Sequence, residues 1–131
     1  MRQGGKLAMK KRKSLGEKLR ELRETYDLSQ SQVAEALNID RSTYSNYELN
    51  KTEPDLDKLV KLAHIYNIPK VLLLPDEDND VLTFRDYSRS DSMLKTLSKE
   101  ERGLIVLYRA LDKDEKARMK EEMEKLAKKH D

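Results

Sequence analysis

The sequence predicts an all-α protein: a five-helix domain, a linker, and a C-terminal helical hairpin. Three observations predict it. Helix-start signatures recur along the chain, as Ser14 with Glu17, Ser29 with Gln32, Asp40, Asp55, Ser98 with Glu101, and Asp112 with Glu115. Apolar residues follow each at helical spacing, and no stretch alternates with the period of a strand. Residues suited to turns, Asn38, Asn50, Pro54, Asn67 and Pro69, separate the first five patterns at short intervals.

Composition sets the outer limits. The 131 residues hold one domain of ordinary size, or a small domain with an appendage. With 40% charged and 37% hydrophobic residues, the core is modest. No apolar run approaches the roughly 18 residues that would mark a membrane-spanning helix, and no signal-peptide arrangement stands at the N-terminus. The chain has no cysteine, which removes disulfides, thiolate chemistry and zinc fingers, and fits a cytoplasmic protein without a membrane partner. Its two histidines, His64 and His130, have no second His or Cys at metal spacing, so no metal or other cofactor is expected. His64 is expected to be a partly buried structural residue.

Residues 1–13 read as a flexible basic leader, and residues 1–8 as an expression-derived extension or an alternative start before Met9. The run Lys10-Lys11-Arg12-Lys13 carries two readings: an arm touching phosphates or the minor groove, and a solvated leader. Residues 14–75 form the domain. Leu15, Leu19, Leu22 and Tyr26 line one face of the first helix, and Val33, Ala34 and Leu37 that of the second. Asn38 supplies the left-handed backbone of a sharp turn. Asp40 is expected to cap the third helix, and Asn50 to end it in a left-handed turn, a role glycine would fill more cheaply. Leu56, Leu59, Val60, Ala63 and Tyr66 mark the fourth helix, and Pro69 opens a short fifth holding Val71, Leu72 and Leu74.

From Asp76 to Asp80 the chain is acidic and apolar-free, and residues 76–92 read as a linker. Residues 93–131 hold two more helical patterns. Leu104, Ile105, Leu107, Tyr108 and Leu111 stripe the first; Ala117, Met119, Met123, Leu126 and Ala127 stripe the second. Their short connection makes an antiparallel hairpin or a bent pair. Each is too short to be stable alone, so the stripes pack on the first domain or on a second copy. A Met-lined groove for an adaptable partner is the sharper alternative.

Function is most legible in residues 28–51, a pair of capped helices joined by a tight turn. On the second of them Tyr44 and Tyr47 share one side and are expected in the core. Arg41, Ser42, Ser45 and Asn46 share the other, which offers only hydrogen-bonding groups of the kind that read base-pair edges. Charge agrees in sign: residues 1–75 carry 14 Lys+Arg against 10 Asp+Glu, a balance of +4, and residues 76–131 carry 13 against 15, a balance of −2.

Residues 15–74 resemble the XRE family of helix-turn-helix DNA-binding domains, the λ-repressor-like fold of phage Cro proteins and repressors. The match runs from Leu19-Arg20-Glu21-Leu22-Arg23 through Leu28-Ser29-Gln30, Val33-Ala34-Glu35-Ala36-Leu37 and Ser42-Thr43-Tyr44-Ser45-Asn46-Tyr47-Glu48 to Pro54-Asp55-Leu56 and Leu59-Val60-Lys61-Leu62-Ala63. The resemblance implies base-reading roles for Arg41, Ser42, Ser45 and Asn46, and phosphate contacts for Gln30 and Lys51. It implies a structural ion pair between Arg23 and Glu48. The chain departs from the family in having Asn38 and Asn50 where glycine is usual, and both tolerate positive φ.

The expected function is a sequence-specific transcriptional regulator of double-stranded DNA, a dimeric repressor on an inverted-repeat operator, with residues 93–129 forming the homodimer. A protein partner, an antirepressor or a toxin, fits the same tail; the rival readings are an antitoxin whose C-terminal helices bind the toxin, and a protein-interaction adaptor. An enzyme is not expected. The sequence has no His-Glu-x-x-His, no glycine-rich phosphate loop, and no Ser/His/Asp set with a credible base.

Overall fold

The computed structural model describes residues 13–74, 94 and 96–129. The first twelve residues, with most of the basic run, and the whole of linker 76–92 lie outside them. The described residues form six α-helices and a 3-10 turn, without a strand. They are α1 (Leu15–Thr25), α2 (Gln30–Leu37), α3 (Arg41–Glu48), α4 (Leu56–Tyr66), the 3-10 turn (Lys70–Leu73), α5 (Lys99–Ala110) and α6 (Lys113–Lys128). None is long and apolar enough to cross a membrane.

The starts follow the capping chemistry. Ser14 Oγ accepts from the Glu17 backbone N–H at 3.1 Å, and Glu17 Oε1 accepts from the Ser14 N–H at 2.8 Å. The same reciprocal boxes open α2 at Ser29–Gln32, α5 at Ser98–Glu101 and α6 at Asp112–Glu115. Asp55 caps α4 by accepting from the Lys58 N–H at 2.9 Å. That bond holds the exposed Asp55 carboxyl below the usual carboxylate range. Asn38, Asn50 and Asn67 all take left-handed backbone, at φ 58°, 61° and 54°. Asp27 does so too, at φ 53°, where the sequence pattern gives no warning.

Leu19, Leu22 and Tyr26 on α1, Val33, Ala34 and Leu37 on α2, and Tyr44 and Tyr47 on α3 join one core. Tyr26 and Tyr66 meet edge-to-face at 5.3 Å, and the Tyr26 hydroxyl donates to the Tyr66 carbonyl at 2.8 Å. Three expectations change. On α4 the core face is Leu62, Ala63, Ile65 and Tyr66, while Leu56, in the first turn, stands 64% exposed. The fifth pattern tightens to a 3-10 turn that buries Leu72 and Leu73 and leaves Val71 outside. His64 is exposed, because it lies on the outer side of that same α4 face.

The tail divides between the two packing solutions open to it. α5 packs on the domain, against α2 and α4, through Val106 and Ala110, with Ile105 half-buried. The stripe most apparent in the sequence, Leu104, Leu107 and Tyr108, faces the opposite way and is exposed. Polar groups fix the seating. Gln32 Nε2 donates to the Lys99 carbonyl at 3.0 Å, and Arg109 donates to the Ile65 carbonyl at 3.0 Å. Arg102, buried, donates to the Leu97 carbonyl at 2.6 Å and to Asp27 Oδ2 at 3.0 Å. Gly103 faces Gln32, whose amide nitrogen would lie 3.0 Å from an added Cβ. α6 buries no side chain, so the pair is the bent one rather than a closed hairpin.

The Asp27 side chain is 78% exposed, so the charge–charge part of its contact with Arg102 is screened and small. The buried stem and the carbonyl bond of Arg102 carry the attachment. Arg102→Ala is expected to lower the unfolding free energy by about 1–3 kcal/mol. Asp27→Asn, which keeps an acceptor oxygen and suits left-handed backbone, is expected to stay within about 0.5 kcal/mol. Urea unfolding of the two variants checks the difference.

Candidate nucleic-acid interface

The helix that bears the four predicted reading residues is gripped from its inner side. Tyr44 is fully buried and Tyr47 nearly so, and their rings meet edge-to-face at 6.2 Å. At the end of α3, Glu48 extends under α1 and α2. Arg23 clasps it in a fork, Nε to Oε2 at 2.6 Å and a terminal nitrogen to Oε1 at 3.1 Å. The other terminal nitrogen of Arg23 donates to the Leu28 carbonyl at 3.1 Å, and Gln30 Nε2 donates to Glu48 Oε1 at 3.0 Å. One carboxylate therefore joins three helices.

The electrostatics follow from that burial. Loss of solvent alone would raise the Glu48 pKa, but hydrogen bonds from Arg23 and its other neighbours outweigh it and hold the carboxyl below the ordinary range. Burial, aided by the nearby Glu48 charge, pushes the Tyr44 and Tyr66 phenols far above the usual tyrosine value. Both hydroxyls are buried without a hydrogen bond of standard geometry. The interior beneath α3 thus carries one anion, one cation and neutral phenols.

The outer side is the reverse. Arg41 and Ser42 are exposed, Ser45 and Asn46 are half-exposed, and none of these side chains has a hydrogen bond or ion pair among the described residues. The Asn46 carbonyl accepts from the Lys51 N–H at 2.9 Å and the Thr52 N–H at 3.4 Å, so the chain folds over the end of the helix and leaves Lys51 exposed. The structure therefore brings Arg41, Ser42, Ser45 and Asn46 onto one uncommitted surface, with Lys51 just beyond it. Gln30 gives one of its amide hydrogens to Glu48. Asp40 holds the cap position of α3 with extended backbone, but its carboxylate accepts no capping bond.

One residue that fixes this surface, Gly16, was not singled out from the sequence, and a second, Asn50, was read only for its left-handed turn. Gly16, on α1, lies against the end of α3, where an added Cβ would sit 2.3 Å from the Glu48 carbonyl oxygen. Asn50 closes the same junction with its side chain, accepting from the Gly16 N–H at 3.0 Å and donating to Ser14 Oγ at 2.9 Å. Glycine at position 50 would keep the backbone but lose both bonds, so asparagine is the better residue there. A signal for Gly16 exists, because glycine in a helix costs about 1 kcal/mol against alanine and calls for a packing reason.

A short helix held from within, following a capped helix and a tight left-handed turn, with an unengaged polar outer row, defines a helix-turn-helix protein. The family described as Helix-turn-helix matches residues 19–73. The HTH-type transcriptional regulator ImmR of Bacillus subtilis (strain 168) is 40% identical over 65 residues, 50% of this chain and 51% of that protein. The cryptic phage CTXphi transcriptional repressor RstR of Vibrio cholerae is 30% identical over 95 residues, 72% of this chain and 84% of that protein. The SPbeta prophage-derived uncharacterized HTH-type transcriptional regulator YonR of Bacillus subtilis (strain 168) is 41% identical over 59 residues, 45% of this chain and 55% of that protein. The chain belongs to the XRE-type family of helix-turn-helix transcriptional regulators. It spans about half the length of ImmR and YonR and most of RstR. No solved structure matches it significantly.

Two outcomes test the junction. Asn50→Gly is expected to cost about 1–3 kcal/mol through two lost bonds, and Asn50→Ala about 1–2 kcal/mol more for a Cβ in left-handed backbone; thermal melts give the order. Glu48, with its folded pKa depressed, contributes stability that is present above the unfolded glutamate value of about 4.3 and is lost as pH falls through the folded pKa. Glu48→Gln is accordingly expected to be less stable than the native protein at pH 7, with the gap narrowing toward pH 3. A gap that stays constant with pH would contradict the role assigned to the carboxylate.

Proposed function

We propose that the protein is a cytoplasmic, sequence-specific DNA-binding transcriptional regulator, a dimeric repressor that occupies an inverted-repeat operator and excludes polymerase. One observation carries the reading: α3 turns Tyr44, Tyr47 and Glu48 inward and leaves Arg41, Ser42, Ser45 and Asn46 together on a surface without partners among the described residues. In the major groove Arg41 can give paired hydrogen bonds to guanine O6 and N7, and Asn46 can pair with adenine N6 and N7. The two serines are short and permit close approach. Lys51 serves as a phosphate contact beyond the end of α3, and Gln30 as another through the amide hydrogen that Glu48 does not take. RstR, named as a transcriptional repressor, matches over a stretch longer than the helix-turn-helix segment itself, which supports the repressor form of the reading.

Two recognition helices on one face of DNA need half-sites about one helical turn apart, roughly 34 Å. The C-terminal helices, residues 93–129, are the part of the chain assigned to that pairing. The uncovered apolar side chains on α5 and α6 also fit a second reading, an antitoxin or an adaptor whose tail holds another protein. Purification from the native host separates them: a clean homodimer supports the repressor, and a stoichiometric second polypeptide supports the alternative.

Selection of bound DNA from a random pool is the direct test, because it returns site, symmetry and spacing together. Failure to select any sequence at about 0.15 M salt would end the regulator reading. Asn46→Ala is expected to relax preference at one operator position and cost about 1–3 kcal/mol of binding. Lys51→Ala is expected to weaken all sequences alike and to reduce the slope of log K against log salt by about one. Uniform loss from both variants would mean that base and backbone contacts had been assigned wrongly.

A further inference from the structure

α5 and α6 meet at Leu111–Asp112, and each arm carries exposed apolar side chains. One arm offers Leu104, Leu107 and Tyr108; the other offers Met119, Met123 and Leu126, all of them 36–61% exposed. Lys116 Nζ sits over the Tyr108 ring, 5.4 Å from its centre, which places the start of α6 and the outward face of α5 on the inner side of the same bend. Beyond that contact the arms part, and every described residue from Ala117 onward is exposed.

We propose that two copies of the chain interlock at this bend, with α6 of each protomer lying across the outward face of α5 of the other. The proposal rests on the homodimer reading above and specifies how that dimer is built. Its first support is that α6, 16 residues long, buries no side chain and meets α5 through Lys116 over Tyr108 near its start; an isolated helix of that length is marginal in water. Its second support is area. A stable interface takes about 800 Å² per partner, drawn from roughly 20 residues. Pairing α6 with α6 alone would use three large apolar side chains a chain over less than two full heptads. Exchange brings in the three on α5 as well, six from each protomer, and leaves neither stripe facing water.

The third support is mutual fit. The α5 patch and the α6 stripe are both exposed, both apolar, and carried on one chain, so a two-fold axis satisfies each with the other. Charge does not oppose it: α6 carries Lys113, Lys116, Arg118, Lys120, Lys125 and Lys128 against Asp114, Glu115, Glu121, Glu122 and Glu124, a balance of six to five. The opposite face of α5 is already spent on the domain through Val106, Ala110 and Arg102, so the exchange leaves that seating intact and displaces the Lys116–Tyr108 contact.

The native chain has no cysteine, which makes site-directed cross-linking free of background. Full-length Leu104→Cys and Met123→Cys variants, one carrying a size tag, are mixed and treated with a short bismaleimide. Both sites are exposed, and circular dichroism melts confirm that each variant folds. Exchange predicts a covalent heterodimer between the two variants, at least tenfold over the self-links of Met123→Cys. Self-links of Met123→Cys alone would overturn the exchange in favour of α6–α6 pairing while the dimer stands. In the double variant, a link confined to one chain would overturn it in favour of a closed hairpin. Sedimentation of the native chain separates the two readings: a monomer at tens of micromolar removes the homodimer, and with it the exchange. Met123→Asp is expected to raise the dimer dissociation constant at least tenfold without altering the monomer's helical content.

Discussion

A buried carboxylate must be satisfied wherever it stands, and the helix-turn-helix arrangement in this chain is organised around satisfying one. Glu48 closes α3, and its partners come from α1 through Arg23 and from α2 through Gln30. Removing an ion pair from water costs much of what its attraction returns, so the net stabilisation is small even where the geometry is good. Orientation is the larger consequence. A fork of two hydrogen bonds tolerates little rotation, and a third donor from α2 fixes the carboxylate from another direction. Loss of Arg23 or of Glu48 would leave the other's charge buried without its counter-ion, and so the three helices are held to one mutual arrangement.

That constraint explains how α3 can present an uncommitted outer row. A surface meant to read bases needs side chains without internal partners, and a short helix with none on one side must draw its position from the other. Tyr44 and Tyr47 supply the packing, Glu48 the direction, and the Gly16–Asn50 junction a stop at the C-terminal end. The N-terminal end is looser, since Asp40 stands at the cap position without capping. The polar contacts that fix α3 are therefore concentrated at its C-terminal end, away from Arg41.

What could be read from sequence was whatever depends on neighbours a few residues away. Four of the reciprocal caps, the left-handed asparagines and the inward tyrosines are local, and the i, i+3 and i+7 patterns locate them. Positions that depend on distant partners were not legible from spacing. Nothing near Gly16 announces the end of α3, 32 residues on, and nothing near Asn50 announces that its amide returns to α1. The outward stripe of α5 misled for a related reason. Amphipathicity identifies a face that avoids water, but it cannot separate a face covered by the same chain from one left uncovered. Small and charged residues, Val106, Ala110 and Arg102, do the covering here, so the less apolar face is the buried one. The Arg23–Glu48 pair entered through family resemblance, since a 25-residue separation has no local signature.

Gln32 shows how the tail is tied to the helix-turn-helix segment. Its carbonyl oxygen accepts from the Ser29 N–H at 2.9 Å, closing the cap of α2, and its amide nitrogen donates to the Lys99 carbonyl at 3.0 Å, seating the first turn of α5. Two residues before it, Gln30 holds Glu48. The first turn of α2 is thus bonded on one side to the end of α3 and on the other to the start of α5, with no flexible segment between the two contacts. A dimer built on the tail would inherit this rigidity. The distance and angle between two α3 helices would then be set by packed helices. Arg102 and Arg109 secure the rest of α5 to the domain at Asp27 and Ile65 and add to the same seating. Half-site spacing, in such a design, is a property of helix packing.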